Sequence, residues 1–510
     1  ASAQRTAAAE HGWREQVLYL VMPDRFRNGD PSNDDAGAPN CHAPSDPRRF
    51  HGGDLEGLRR SVPYLRDLGA TAVWTTPLYA QVGRLPGGRA APNDDGACGY
   101  HGYWPELAPP RGDAIEPKLG DAQALTSLVS DMHAAGMRFV LDMVVNHTGD
   151  IATLPRERPH WFHDPRTCAS LGSPTISCPL DGHPDFAQER PEVAAFLSDV
   201  ARGWMLRSGA DGVRMDTAKH VPPSYFEASF LPAVRGVRGD ALTIAEVFDD
   251  GSLAPALPYL DAGFDSAFHF PLRRALVEAV ARGGSIDAVA SAVAHGIELV
   301  GMERALDLVL LLDNHDVPRF TNEPGWGVPE DEIRRRTMLG LGLIFTLPGI
   351  PQLYYGDEIG MYGGRDPDNR RDFPAWAEDP AARARSHAHE AVAGSAAIFD
   401  RVRRLARLRT STPALAHGAY RELWRQNGAH HPNVFAFARG EGAEARLIVV
   451  SNGARDTGAV RIPVPASMAP ARASWFDELG DGAPSPARIR GGALVLDLPP
   501  RSLAIYRRAP

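Results

Sequence analysis

DAQALTSLVSDMHAAGMRFVLDMVVNH, residues 121–147, holds the pattern on which the fold turns. Its first part, 121–136, has apolar residues at helical spacing and reads as an amphipathic helix. Its second, RFVLDMVV (138–145), is a near-continuous apolar run and reads as a buried strand. The same succession recurs along the chain. Strands are expected at VLYLVMP (17–23), TAVWTTP (71–77), DGVRM (211–215), LTIAEV (242–247), FDSAFHF (264–270) and LDLVLLLD (306–313). A last one is expected within LGLIFTLPGIPQLYYG (341–356). A second helix, RPEVAAFLSDVARGWMLRSG (190–209), opens with a Pro and closes with Gly209, both ordinary helix punctuation. Buried strands alternating with helices imply a parallel sheet. Eight such units over about 400 residues fit an α/β fold of the (β/α)8 TIM-barrel type. A doubly wound sheet is the alternative, but no G-x-G-x-x-G follows the first strand.

Two segments depart from the alternation. Residues 147–188 are rich in Pro, Cys, Gly and His and read as an inserted domain after the third strand. From residue 413 short runs separated by turns (VFAFARG, RLIVVSNG, GAVRIPV, ALVLDLPP, SLAIYRR) predict a C-terminal antiparallel β-sandwich at 413–510. The barrel is then 1–146 together with 189–412. At 510 residues, 43% apolar and 23% charged, the chain has the composition of a globular protein of two or three domains. A net charge of −9 argues against a nucleic-acid partner, and no apolar run is long enough to span a bilayer. The opening ASAQRTAAAE reads as a mature secreted or periplasmic protein after leader removal, or as a trimmed start. Cys41, Cys98, Cys168 and Cys178 lack zinc-site spacing and allow three disulfide pairings. Cys168 and Cys178 bracket a short loop suited to a local staple, and Cys41 and Cys98 lie in loops that could pair across one end of the molecule.

In a barrel of this kind reactive groups stand at the C-terminal ends of strands. The third strand ends on Asp142, Asn146 and His147. The fourth ends on Arg214 and Asp216, with Lys219 and His220 beyond, the fifth on Glu246, and the seventh on Asp313, Asn314, His315 and Asp316. Burying so many charges for stability alone is costly. Glycoside hydrolysis by double displacement needs such a set: one carboxylate attacks the anomeric carbon and a protonated one serves the leaving oxygen. Asp216 and Glu246 end neighbouring strands and can approach the ~5 Å separation of retaining enzymes. Arg214, two residues before Asp216, is expected to hold Asp216 ionised and lower its pKa. Leu242, Ile244 and Ala245 before Glu246 predict an apolar setting that favours a neutral acid.

DMVVNH (142–147), DGVRMDTAKH (211–220), IAEVF (244–248) and LLDNHD (311–316) closely resemble the four signature regions of glycoside hydrolase family 13, the α-amylase family. YHGYW (100–104) and PGIPQLYYGDEIGM (348–361) resemble two further stretches of it, and the resemblance runs in order from about residue 15 to 410. It implies Asp216 as nucleophile, Glu246 as acid/base and Asp316 as the third carboxylate. Arg214, His147 and His315 are then the groups that orient those carboxylates and bind neighbouring hydroxyls. Tyr103 would be the aromatic platform under the reacting sugar, beside His101. Lys219, His220 and Phe248 would face the acceptor. Asp366 and Arg370, in GGRDPDNRRD, would hold the next sugar on the non-reducing side, the alternative being an exposed turn with a weak ion pair.

The resemblance also implies calcium at Asn146, Asp185 and the His220 carbonyl, a hard oxygen set. A second calcium is implied at Asn28, Asp30, Asn33, Asp34, Gly52 and Asp54, as in cyclodextrin glycosyltransferases; a solvated polar loop is the alternative. The activity expected is cleavage of α-1,4-glucan, either starch and maltooligosaccharides or, as in cyclomaltodextrinases and neopullulanases, cyclodextrin and pullulan. Cyclisation is not expected, because Asp181 stands where cyclising members carry an aromatic. Cyclomaltodextrinases usually carry an N-terminal β-domain, whereas the first strand here begins near residue 17, which argues for a monomer. A carbohydrate-binding relative without activity would lack one of the three carboxylates. A metallohydrolase would need Asp142, His147, His315 and Asp316 to converge on a metal.

Overall fold

The computed structural model describes residues 12–86, 96–108, 112–426, 433–468, 473–480 and 482–509. The N-terminal stretch read as a trimmed or processed start, and residues 87–95, lie outside the described residues. Eight buried runs make parallel strands: β1 (Leu18–Val21), β2 (Ala72–Thr75), β3 (Arg138–Met143), β4 (Gly212–Met215), β5 (Leu242–Ala245), β6 (Ser266–Ala267), β7 (Val309–Leu310) and β8 (Ile350–Tyr354). They are ordered β6-β5-β4-β3-β2-β1-β8-β7, and a parallel bridge between Phe268 and Val309 joins the two ends into a barrel. Register then fixes chemistry: Asp142 on β3 lies beside Arg214 on β4, and Met215 on β4 beside Ala245 on β5.

The helix expected at 121–136 spans Ala122–Ala134. Asp121 caps it by accepting a hydrogen bond from the Ala124 N–H, and Leu125, Leu128, Val129 and Met132 form its buried stripe. The helix Pro191–Ser208 ends on Gly209 at φ +68°, a left-handed position that glycine tolerates. The last barrel unit differs from expectation. LGLIFT (341–346) completes the helix Glu330–Thr346, and only Ile350–Tyr354 is strand. Every residue from Leu339 to Thr346 is buried, so the run is continuously apolar without being a strand, an ambiguity that sequence period cannot resolve.

The segment after His147 returns to the barrel through bridges His147–Asp185 and Phe162–Phe186. Disulfides Cys41–Cys98 and Cys168–Cys178 both form, and no described cysteine is free.

The C-terminal part holds eight antiparallel strands, β9 (Tyr420–Gln426), β10 (Val434–Arg439), β11 (Arg446–Ser451), β12 (Ala459–Pro463), β13 (Ser474–Asp477), β14 (Ala487–Arg490), β15 (Ala493–Asp497) and β16 (Ser502–Arg508), ordered β12-β15-β14-β13-β16-β11-β10-β9. Three of them are buried on both faces rather than alternating. Phe435, Phe437, Ile448, Val450, Leu503 and Ile505 join the barrel's core, while Val434, Ala436, Leu447, Val449 and Ala504 pack within the sandwich. β12 keeps the plain alternation of a strand with one wet face. Among the described residues no helix is long and apolar enough to cross a membrane.

Candidate active site

A cavity of about 1040 Å³ opens at the C-terminal end of the barrel strands, and Asp216, Glu246 and Asp316 all line it. Its floor is organised by one guanidinium. Arg214 is fully buried and donates from Nη1 to both oxygens of Asp142 (2.9 and 3.0 Å) and to Asp216 Oδ1 (2.8 Å). Its Nη2 pairs with Glu246 Oε1. Asp216 and Glu246 thus meet the two terminal nitrogens of one guanidinium. Thr217 completes the bridge: its N–H donates to Glu246 Oε2 (3.0 Å) and its hydroxyl to Asp216 Oδ2 (3.1 Å). It does so from φ +45°, a left-handed conformation that costs a β-branched residue energy and is stored at functional sites.

Two electrostatic expectations are corrected here. Burial, together with the neighbouring charges of Glu246, Asp142 and Asp316, pushes Asp216 well above the usual carboxylate range, although Arg214 opposes the shift. One guanidinium shared among three carboxylates cannot hold them all ionised. Asp142, which also accepts from Trp74 Nε1 (3.1 Å) and the Tyr103 hydroxyl (2.8 Å), is pushed up to about 7 by burial. Both shifts favour protonation of Asp216 and Asp142, against the pull of Arg214. Glu246, for its part, does not face apolar surface. Its carboxylate meets Arg214 and the Thr217 N–H.

Asp316 stands opposite, 3.1 Å from His315 Nε2 and 3.3 Å from Arg370 Nη2. Arg370 also donates to the His315 carbonyl (2.8 Å) and pairs with Asp366 (3.1 Å). Asp366 and Arg370 both line the cavity, Arg370 nearly buried and Asp366 half-exposed in a turn. Tyr103 lies over His315 at 5.0 Å between ring centres, with His101 5.7 Å away on the same stack. His101, His147, His220 and Phe248 line the cavity as well. Lys219 is not among the residues lining it; its ammonium is held by the Phe248 carbonyl (2.8 Å) and Asp249 (3.3 Å). His147 and His315 direct Nε2 to the Tyr103 carbonyl (3.1 Å) and to Asp316 respectively, so they do not converge with Asp142 as metal ligands. Sequence reading passed over Thr217 and His183. His183 lines the cavity, stacks on His147 at 5.0 Å and pairs with Asp150. Nothing in GHPDF marked it beyond its closeness to Asp185.

Asn146 offers a test of the first cation site. Its side-chain amide faces Asp185 Oδ1 (3.2 Å) and the His220 carbonyl (3.0 Å) on one side and His147 Nδ1 (3.2 Å) on the other. His147 Nε2 lies against a carbonyl and must donate. Burial pushes this histidine down to about 3, so the ring is neutral and Nδ1 is an acceptor. The Asn146 NH2 group then belongs toward His147. Its oxygen is left facing two other oxygens without a proton between them, an arrangement that suits a hard cation. A bound cation would only lower His147 further.

The second cluster also comes together. Asn28 donates to both oxygens of Asp34 (2.9 and 3.1 Å), and Asp54 accepts from the N–H groups of Gly29, Asp30 and Gly57. Asp30 accepts from the Ser32 N–H (3.1 Å). A Cβ on Gly52 would lie 2.8 Å from Asn28 and Asp34, and Asn33 Oδ1 is buried without a hydrogen-bond partner. Among the described residues no three His, Cys, Asp or Glu side chains gather as a metal site, so carbonyl and amide oxygens are needed in both places.

A family profile for the alpha-amylase catalytic domain matches residues 20–162 and 177–418. Neopullulanase 2 of Thermoactinomyces vulgaris is 30% identical over 469 residues, 88% of this chain and 72% of the relative. A cyclomaltodextrinase of Geobacillus thermopakistaniensis is 28% identical over 97% of this chain and 77% of its own. Among solved structures, an alpha-amylase of Anoxybacillus superposes with a TM-score of 0.80 at 28% identity, covering 98% of this chain and 99% of that one.

Proposed function

Because the chain belongs to the alpha-amylase family of glycoside hydrolases, we propose that it cleaves α-1,4-glucosidic bonds with retention of configuration, acting on short, cyclic or branched α-glucans. The observation that carries the mechanism is the single buried guanidinium of Arg214 holding Asp142, Asp216 and Glu246 beneath the cavity. In the first step Asp216 attacks the anomeric carbon while Glu246 gives its proton to the leaving glycosidic oxygen. In the second, Glu246 takes a proton from water, which attacks the same carbon and releases Asp216. Positive charge builds on the sugar ring in both steps, and Asp316 stabilises it from the opposite wall. The chemistry needs one carboxyl as acid, Glu246, and its neighbour Asp216 as nucleophile, and Arg214 is the charge that opposes protonation of Asp216. Asp366 and Arg370 present hydrogen-bonding groups to the next sugar on the non-reducing side, and Phe248, 41% exposed, offers a ring face to the acceptor.

The preference for cyclodextrin and pullulan rests on the relatives named neopullulanase and cyclomaltodextrinase. A second reading, starch and linear maltooligosaccharides, is favoured by the Anoxybacillus alpha-amylase, which matches almost the whole of both chains. Incubation with β-cyclodextrin, pullulan, maltoheptaose and soluble starch, resolving products by chain length, separates the two. Opening of cyclodextrin or panose from pullulan supports the first; short products from starch with both others untouched overturn it.

Two calcium ions belong to this proposal. Asn146, Asp185 and the His220 carbonyl would hold one, bracing the inserted segment against β3 and the loop after β4. Asn28, Asp30, Asn33, Asp34, the Gly52 region and Asp54 would hold the other, supported by the orphaned Asn33 oxygen. The two disulfides support an extracellular or periplasmic location.

A further inference from the structure

Trp326 is 105% exposed, while among the described residues the other large exposed hydrophobics reach at most the 67% of Leu206. Scattered exposed apolar residues need no explanation, but an indole wholly in water is rare for so large a ring. Its backbone setting presents it. Gly325 and Gly327 flank it at φ +80° and +83°, a conformation L residues rarely adopt, and apart from chain neighbours neither has any atom within 4 Å of where a Cβ would stand. At this exposure both faces of the indole are open to solvent. The loop beneath is fastened. Glu323 pairs with Arg273 (3.2 Å) and Arg282 (2.6 Å), the Thr321 hydroxyl donates to the Met361 carbonyl (2.7 Å), and Asn322 accepts from the Gly363 N–H (2.8 Å). The last two contacts tie it to the segment that goes on to Asp366 and Arg370 on the cavity wall. No ring contact covers Trp326 among the described residues.

We propose that Trp326 is a glucan-binding platform on the rim of the barrel, outside the catalytic cavity, on which an α-glucan chain lays the apolar face of a glucosyl unit. A flat ring in water with both faces clear matches the C–H face of a pyranose, whose hydroxyls stay hydrated at the edge. A protein partner is less well matched. A stable interface needs roughly 800 Å² on each side, and around Trp326 stand only the small or short residues Pro324, Gly325, Gly327, Val328 and Pro329, bounded by Glu323 and Glu330. The platform raises affinity for polymers and leaves short substrates unaffected, because only a chain long enough to occupy both places gains from the tether. The inference rests on the α-glucan reading of the cavity.

The test pairs Trp326→Ala with the full-length enzyme. Native gels containing soluble starch, run in the catalytically silent Asp216→Asn background, read binding without turnover. Kinetics on soluble starch and on a chromogenic maltotrioside read polymer against short substrate. The expected result is starch retardation weakened and KM on starch raised by about 3- to 10-fold, with the maltotrioside constants and the melting temperature unchanged. Trp326→Phe should restore most of the loss. Equal retardation of the two proteins with equal KM on starch overturns the proposal. So does a change of sedimentation coefficient with glucan affinity intact, which would assign the indole to a contact between copies. Absence of turnover on every glucan would instead count against the catalytic reading, because the gel assay requires no turnover.

Discussion

Replacing Arg214 by Lys should nearly abolish turnover while leaving the protein folded. The guanidinium serves Asp142 through two contacts of 2.9 and 3.0 Å, Asp216 through one of 2.8 Å, and Glu246 through its second nitrogen. An ammonium is a point donor on a shorter reach and satisfies one carboxylate, with a second at best. Losing two charge-assisted contacts at about 1.5–3 kcal/mol each raises the barrier by about 3–6 kcal/mol, or roughly 10²- to 10⁴-fold in kcat. The charge is retained, so the buried carboxylates are not left without a counter-ion, and the melting temperature should fall by only a few degrees. The assay is kcat on a chromogenic maltotrioside, with circular dichroism to establish folding. A folded variant that keeps more than a tenth of the wild-type rate would refute the reasoning, since the shared guanidinium would then not be what sets the two carboxylates.

Thr217→Val keeps the β-branched shape at a left-handed position and removes only the hydroxyl that donates to Asp216, so kcat should drop about tenfold with KM little changed; an unchanged rate would show the bond to be idle. Chelation with EDTA should lower the melting temperature, and calcium but not magnesium should restore it, read by scanning calorimetry with metal analysis of the dialysed protein. Glu332, on the helix Glu330–Thr346, pairs with Arg336 of the same helix (2.8 Å) and with Arg501, just before β16 (2.9 Å). Burial would raise its pKa, but the bonds from those two arginines win and hold it below the usual range. A depressed carboxylate contributes stability above its unfolded value near 4.3 and loses it as pH falls through the folded value. Glu332→Gln should therefore destabilise the protein at neutral pH, and the gap to wild type should close on acidification below about pH 4; a gap that does not depend on pH would contradict this.

The barrel was legible because helix and strand periods differ and because the buried strands are nearly continuous, as RFVLDMVV is. Its short strands were not. β6 and β7 pair over two residues each within the expected segments FDSAFHF and LDLVLLLD, since burial outlasts hydrogen bonding at the ends of a barrel strand. Asp216, Glu246 and Asp316 were found from their places at strand ends. The electrostatics were misread, because pairing Arg214 with Asp216 alone ignored Asp142 and Glu246, which reach the same guanidinium only through the register of β3, β4 and β5. His183 escaped for a similar reason. Its stacking on His147 exists only once the inserted segment folds back on the barrel, and no local spacing announces that return.

The stereochemistry of the first-formed product tests the central claim most directly. Proton NMR of the enzyme acting on maltoheptaose, followed within the first minutes, reads the configuration at the newly released reducing end. Attack by Asp216 followed by water through a glycosyl-enzyme predicts that the α-anomer appears first and that the β-anomer grows only at the rate of mutarotation. Direct appearance of the β-anomer would mean single displacement and would contradict the paired carboxylates held by Arg214 as nucleophile and acid.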